Sequence, residues 1–121
     1  MSFKEYLDYQ DSLLPELATG FGAEIGRKEL ICGALTGAVM VIGMKFGRTD
    51  PKDSVSEVKV YEKCRQFWNR FEKEFGNVNC YSLTGVNFDN PEERQQWLVA
   101  DGMKKCADIV EKSARMLWGL I

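Results

Sequence analysis

Hydrophobic residues recur at helical spacing along most of this chain, and no segment of convincing length alternates as a strand would. The clearest stripe lies within residues 54–75, where successive members are three or four positions apart. Its members are Val60, Cys64, Phe67, Phe71 and Phe75. Ser54 and Glu57 have the spacing of a capping box, which predicts the start of this helix, and Gly76 predicts its end.

The most apolar segment spans residues 29–46 and lies between charged residues. It is shorter than the roughly 20 apolar residues that cross a bilayer, so we interpret it as a central helix buried on nearly all sides. Gly33 and Gly37 lie within it, and these small residues predict the close approach of a neighbouring helix. Gly47 is the predicted end of the helix.

Shorter helices are predicted before these two. Phe3, Tyr6 and Leu7 lie on one helical face, and Ser12 is the predicted cap of a following helix. The glycine-rich stretch 20–26 then predicts a loop.

The last third of the chain predicts two further helix starts. Asn79 has the position of an N-cap before a short helical turn at residues 80–83. Asn90, followed by proline and two glutamates, predicts a helix that continues to about Leu117, with a break at Asp101–Gly102.

Together these elements predict an all-α fold, a compact bundle of about five helices with a buried, glycine-rich helix at its centre. The 121 residues suit a single domain, with bounds 1–121. A chain of this length can bury a core without disulfides or metals.

Composition narrows the chemistry. Lys and Arg total 16 against 18 for Asp and Glu, so no basic excess favours nucleic acid or a membrane surface as a partner. Histidine is absent, which excludes Ser-His-Asp and Cys-His catalysis and histidine-ligated metals. No apolar stretch typical of a secretory signal follows Met1, so we expect a cytoplasmic protein whose disulfides are transient or catalytic.

The remaining chemistry rests on four cysteines, and none of them forms a CxxC pair. Cys80 is the strongest candidate, because it follows polar residues and has the first helical position after a cap, where a thiolate is stabilised. Cys32 lies near the start of the apolar segment, where the helix dipole would lower its pKa, with a small core residue as the alternative. Cys106 follows two lysines that favour its thiolate, and the sequence supports a functional and a structural role for this cysteine equally. Cys64 belongs to the phenylalanine stripe, which favours a core role.

One order of motifs joins three of these cysteines. Cys32-Gly33-Ala34-Leu35-Thr36-Gly37 follows the glycine loop, Gly76-Asn77-Val78-Asn79-Cys80-Tyr81-Ser82-Leu83 comes next, and Cys106 lies in the last helix. This order resembles the C-GCAxxG-C-C family of redox-active proteins over roughly residues 13–118. The resemblance implies an all-helical fold and a redox role for the three matched cysteines. The family's first cysteine has no counterpart, because the chain begins after that position, and Cys64 is the alternative stand-in for it.

We therefore expect a thiol-based redox or electron-transfer protein in which Cys80 attacks, or pairs with, Cys32 or Cys106. The three side chains should converge, Cys80 should be the most exposed, and Cys64 should be buried away from them. Two alternatives stay open: a module that binds zinc or an iron–sulfur cluster through thiolates, and a non-catalytic helical interaction protein, including a homodimer. The sequence indicates no particular cofactor, substrate or redox partner protein.

Overall fold

The structure is a computed structural model that describes residues 2–8, 10, 13–22 and 24–121. The helices of these ranges are α1 (Phe3–Tyr6), α2 (Leu14–Thr19), α3 (Gly33–Phe46), α4 (Ser54–Phe75), α5 (Cys80–Thr84), α6 (Pro91–Val99) and α7 (Met103–Trp118). The predicted all-α fold class is confirmed. None of the helices in the described ranges is long and apolar enough to cross a membrane.

Three long helices, α3, α4 and α7, pack against one another and enclose the core. Ile42 of α3 and Phe67 and Phe71 of α4 are completely buried, and Leu117 of α7 closes the cluster. Burial of each such side chain contributes about 1.5–3 kcal/mol to stability. The phenylalanine stripe that the sequence indicates is therefore the centre of the bundle.

The central helix is shorter and less enclosed than expected. It begins at Gly33, because Ile31 pairs with Asn79 in an isolated bridge and Glu29 has a left-handed φ of 58°, so residues 29–32 are not helical. Its buried positions lie on one face, and Val39 on another face is 39% exposed. No neighbouring atom lies within 4 Å of the Cβ that Gly37 would carry, so this glycine does not serve close helix packing. The expectation of burial on nearly all sides is therefore wrong.

Most of the predicted helix ends are confirmed. Asn79 caps α5 and Asn90 caps α6 through their side-chain oxygens, and Gly76 ends α4 with a φ of 82°. The start of α4 differs, because the side chain of Asp53 accepts the Ser56 N–H and replaces the predicted capping box. Ser12, the predicted cap of α2, lies outside the described residues.

The expected last helix is divided in two. Asp101 adopts a left-handed φ of 61°, which ends α6 and lets the chain restart as α7 at a different angle. This break was predicted at Asp101–Gly102. Together with the very short α1 and α5, it gives seven helical segments in the described residues where about five were expected.

The loop before α3 is fixed by a buried acid. Glu29 is 7% exposed and accepts a hydrogen bond from the backbone N–H of Phe88. Arg94 of α6 binds the Phe88 carbonyl over 2.8 Å. These two contacts hold the turn between α5 and α6 against the glycine loop.

Candidate functional site

A short antiparallel bridge brings Cys32 and Cys80 together. The Cys32 N–H donates to the Val78 carbonyl over 2.8 Å, and the Cys80 N–H donates to the Leu30 carbonyl over 3.0 Å. Residues placed diagonally across such a bridge have Cα atoms about 7–8 Å apart and side chains on one face. Two cysteines that begin different helices, α3 and α5, are thereby set close to the reach of a disulfide.

Glu24, in the glycine-rich loop, joins these cysteines from the other side. Its side chain is buried, with 9% of the residue exposed, and its Oε1 accepts the Gly33 N–H over 2.9 Å. A Cβ on Gly33 would lie 3.2 Å from that oxygen, so the glycine leaves room for the carboxylate at the start of α3. The second oxygen, Oε2, is buried and has no hydrogen bond of ordinary geometry to any described residue.

Cys106 approaches the same place from α7. It shares with Cys80 and Glu24 a cleft of about 310 Å³ that opens towards α6. The lining residues are Glu24, Cys80, Phe88, Arg94, Trp97, Leu98, Met103 and Cys106. The cleft is therefore mainly apolar, with two thiols and one carboxylate on its wall and one guanidinium from α6.

The thiol of Cys80 is strongly disfavoured as a thiolate. Burial raises its pKa most, the Glu24 carboxylate raises it further by accepting a hydrogen bond from the protonated thiol and by its charge, and Cys32 and Cys106 add to this. The S–H group is a weak donor that rotates freely, and the carboxylate has one buried oxygen, Oε2, without a hydrogen-bond partner among the described residues. Cys80 and Glu24 are thus neighbours in a dry environment.

The other two matched cysteines also have raised pKa values. Burial raises the pKa of Cys32 and outweighs the backbone N–H groups of Ala34 and Leu35, which lower it. Burial also raises the pKa of Cys106, followed by the charge of Cys32 and Glu24, whereas Lys105 lowers it. The expected activation of Cys32 and Cys80 by a helix start, and of Cys106 by its neighbouring lysines, is therefore wrong, because loss of hydration dominates the pKa of each thiol.

The exposure of the cysteines differs from the prediction in two respects: Cys64, expected to be buried, is half-buried, and Cys80 is not the most exposed. Cys80 is the most buried of the four, with 4% exposed, whereas Cys32, Cys64 and Cys106 are half-buried. The expectation that Cys80 is the most accessible is wrong, because the bridge to residues 30–32 covers it. The cysteines all carry free thiols.

Cys64 lies away from the other thiols, as predicted. It packs against the core cluster from α4, and burial alone raises its pKa, with no contribution from another thiol. It therefore does not join the three matched cysteines.

Glu24 is the residue of this site that sequence reasoning missed. The stretch 20–26 was interpreted as a glycine loop, and no role was assigned to its one acidic residue, Glu24. An acid surrounded by glycines just before a helix start was the available signal, because a carboxylate there can accept hydrogen bonds from the free N–H groups of the helix.

Among the described residues, no group of three or more Cys, Asp and Glu side chains is arranged to hold a metal ion.

The fold and the site together define an all-helical domain in which three distant cysteines and a buried carboxylate meet beside a cleft. A family model described as "Putative redox-active protein (C_GCAxxG_C_C)" matches residues 1–119, and the chain belongs to this family. No curated protein and no solved structure matches the chain.

Proposed function

We propose that this protein carries out thiol–disulfide exchange through Cys32, Cys80 and Cys106. The observation that carries the proposal is the convergence of these cysteines on Cys80. The bridge between residues 30–32 and 78–80 sets Cys32 beside Cys80, and Cys106 lines the same cleft as Cys80. The pKa of Cys80 is accordingly raised by both. The family name, which describes a redox-active protein, supports the same class of chemistry.

The burial of the thiols suggests a division of roles. Cys106 is half-buried, lines the cleft and has Lys105 beside it, so we assign it the attack on an incoming disulfide. Cys80 is buried, which suits a resolving thiol, because such a thiol reacts only with the mixed disulfide that has formed at Cys106. Cys32 does not line the cleft. We propose that a Cys32–Cys80 disulfide competes with the Cys80–Cys106 disulfide.

The proposed exchange transfers two electrons. The Cys106 thiolate attacks one sulfur of a substrate disulfide, the S–S bond breaks, and the other half leaves as a thiolate that takes up a proton. The Cys80 thiol then loses its proton and attacks the Cys106 sulfur, which releases the second half of the substrate. The substrate is reduced to two thiols, and the Cys80–Cys106 pair becomes a disulfide. In a reducing cytoplasm, which we propose as the compartment, small thiols restore the pair.

Equilibration with a series of glutathione redox buffers tests this function. We expect one reversible two-electron oxidation with the far-ultraviolet circular dichroism unchanged. Cys80→Ser should abolish the intramolecular disulfide, Cys106→Ser should leave only the competing Cys32–Cys80 pair, and the matched control Cys64→Ser should keep the Cys80–Cys106 pair. If the folded wild-type protein forms no reversible disulfide, or if Cys64→Ser abolishes it, the proposal is wrong.

A further inference from the structure

The resolving step requires a proton acceptor, and the site offers one. We propose that Glu24 is the catalytic base that removes the proton from the Cys80 thiol when this thiol attacks the mixed disulfide at Cys106. The inference rests on the proposed function and adds a residue to it. It stands on a buried carboxylate oxygen, Oε2, that has no hydrogen-bond partner among the described residues and belongs to a side chain lining the same cleft as the thiol.

The burial of Cys80 makes an internal base necessary. A thiol that is 4% exposed cannot give its proton readily to water, and its thiolate is poorly stabilised where it lies. A general base has to lie within hydrogen-bond reach of the proton that it removes. Glu24 is placed for this role, because its carboxylate and the Cys80 thiol line the same cleft and its buried Oε2 has no hydrogen-bond partner among the described residues. The carboxylate is also close enough to raise the pKa of Cys80.

The carboxylate is also held in a fixed orientation. Its Oε1 is bound by the Gly33 N–H at 2.9 Å, which leaves Oε2 for the proton. The other charged residue of the cleft wall, Arg94, has no site that accepts a proton. The second buried acid, Glu29, is bound to the backbone of Phe88 and does not line the cleft. Among the described residues of the cleft, Glu24 is therefore the group suited to this transfer.

The step balances as follows. The Cys80 proton moves to Oε2 of Glu24 while the Cys80 sulfur forms a bond to the Cys106 sulfur. The bond between the Cys106 sulfur and the substrate sulfur breaks, and the substrate half leaves as a thiolate. The protein gains a Cys80–Cys106 disulfide and a protonated Glu24, which later loses its proton to solvent through the cleft.

Single-turnover kinetics with the aromatic disulfide dithionitrobenzoate, which releases a coloured thiolate, isolate this step. In a background with Cys32→Ser and Cys64→Ser, the first thiolate released reports attack by Cys106. The second reports resolution by Cys80. We expect Glu24→Gln to slow the second release by at least about tenfold, within the range of a lost general base, and to leave the first within about twofold.

The direction of the change separates a base from a mere charge. The Glu24 charge raises the pKa of Cys80, so an acid that acted only through its charge would slow the thiol. Its replacement by glutamine would then speed up resolution, because more thiolate would form. A slower second release supports proton transfer, and an equal or faster one overturns the inference.

The matched control is Glu29→Gln, which removes a second buried carboxylate of the same loop without touching the thiols and should leave the second release within about twofold. If both variants slow it equally, the loss does not depend on the carboxylate beside Cys80, a disturbance of the loop before α3 explains it, and the inference is wrong. Absence of any second release in the background protein would instead contradict the proposed function itself.

If Glu24→Gln fails to fold, the wild-type pH profile gives the answer. A second release that is independent of pH between about pH 6 and pH 8 supports an internal base, whereas one that rises about tenfold per pH unit overturns it. The titratable groups near Cys80 are Glu24, Cys32 and Cys106, and Arg94 is the cationic residue that lines the same cleft.

Discussion

Gly33 donates its backbone N–H to Oε1 of Glu24 over 2.9 Å, and the absence of a Cβ at Gly33 leaves the space that the carboxylate fills. The glycine after Cys32 in the CGAxxG motif thus has a structural reason that differs from helix packing. It allows the carboxylate of Glu24 to accept a hydrogen bond from the first backbone N–H of α3 and to lie beside the thiols at the same time.

The two glycines of the motif should respond in opposite ways to alanine. In Gly33→Ala, the new Cβ lies 3.2 Å from Glu24 Oε1, so the carboxylate must shift, and we expect the free energy of unfolding to fall by about 1 kcal/mol as its hydrogen bond weakens. In Gly37→Ala, no atom lies within 4 Å, and a helix-interior alanine should raise that free energy by about 0.5–1 kcal/mol. Urea unfolding measures both, and equal effects at the two positions would contradict this account.

Gly102 is required for the wall of the cleft. A Cβ at this position would overlap the indole ring of Trp97, which lines the cleft beside the thiols. We expect Gly102→Ala to displace the ring and to lower the free energy of unfolding by about 1–3 kcal/mol. Tryptophan fluorescence, measured with Trp68 and Trp118 replaced by phenylalanine, should shift to longer wavelength. An unchanged spectrum would show that the ring does not lie where the structure has it.

The core of the bundle should be sensitive at Phe71 and insensitive at the surface of the same helix. Phe71→Ala removes a completely buried ring between α3 and α7, which should cost about 3–5 kcal/mol. Val55→Ala, at a position that is 79% exposed, should change stability by less than about 0.5 kcal/mol. Similar values for the two variants in urea unfolding would contradict the arrangement of α4.

Alkaline pH should destabilise the protein through Cys80. Its folded pKa lies above the ordinary thiol value of 9.0, so the folded state retains the proton more strongly than the unfolded chain does. The resulting stability is complete below that ordinary value and is lost as the pH rises above it. Between about pH 8 and pH 10.5, the wild type should lose up to about 1.4 kcal/mol per pH unit more than Cys80→Ser. Parallel curves for the two proteins would show that Cys80 is not buried as a neutral thiol.

Much of the fold could be predicted from local signals. The phenylalanine stripe of α4, the caps at Asn79 and Asn90 and the break at Asp101 each depend on residues within one turn of each other, and all are confirmed. The start of α3 could not be predicted, because it is set by the pairing of Ile31 with Asn79, which are distant in sequence.

The site shows the same division. The position of Cys64 in the stripe, packed against the core, followed from the sequence, whereas the role of the other three cysteines stays a prediction. The burial of Cys80 did not follow from the sequence, because the segment that covers it belongs to another part of the chain. Glu24 was missed for the same reason, since its partners, Gly33 and Cys80, are brought to it only by the tertiary structure.

The most direct test of the redox site is to identify the disulfide that forms. The protein is oxidised mildly with a small disulfide, its free thiols are blocked at acidic pH, and the digested peptides are identified by mass spectrometry. We predict that a peptide linking Cys80 to Cys106 predominates, with Cys80–Cys32 as the minor pair and Cys64 blocked as a free thiol. If the predominant linkage includes Cys64, or if only disulfides between molecules form, the three matched cysteines are not one redox site.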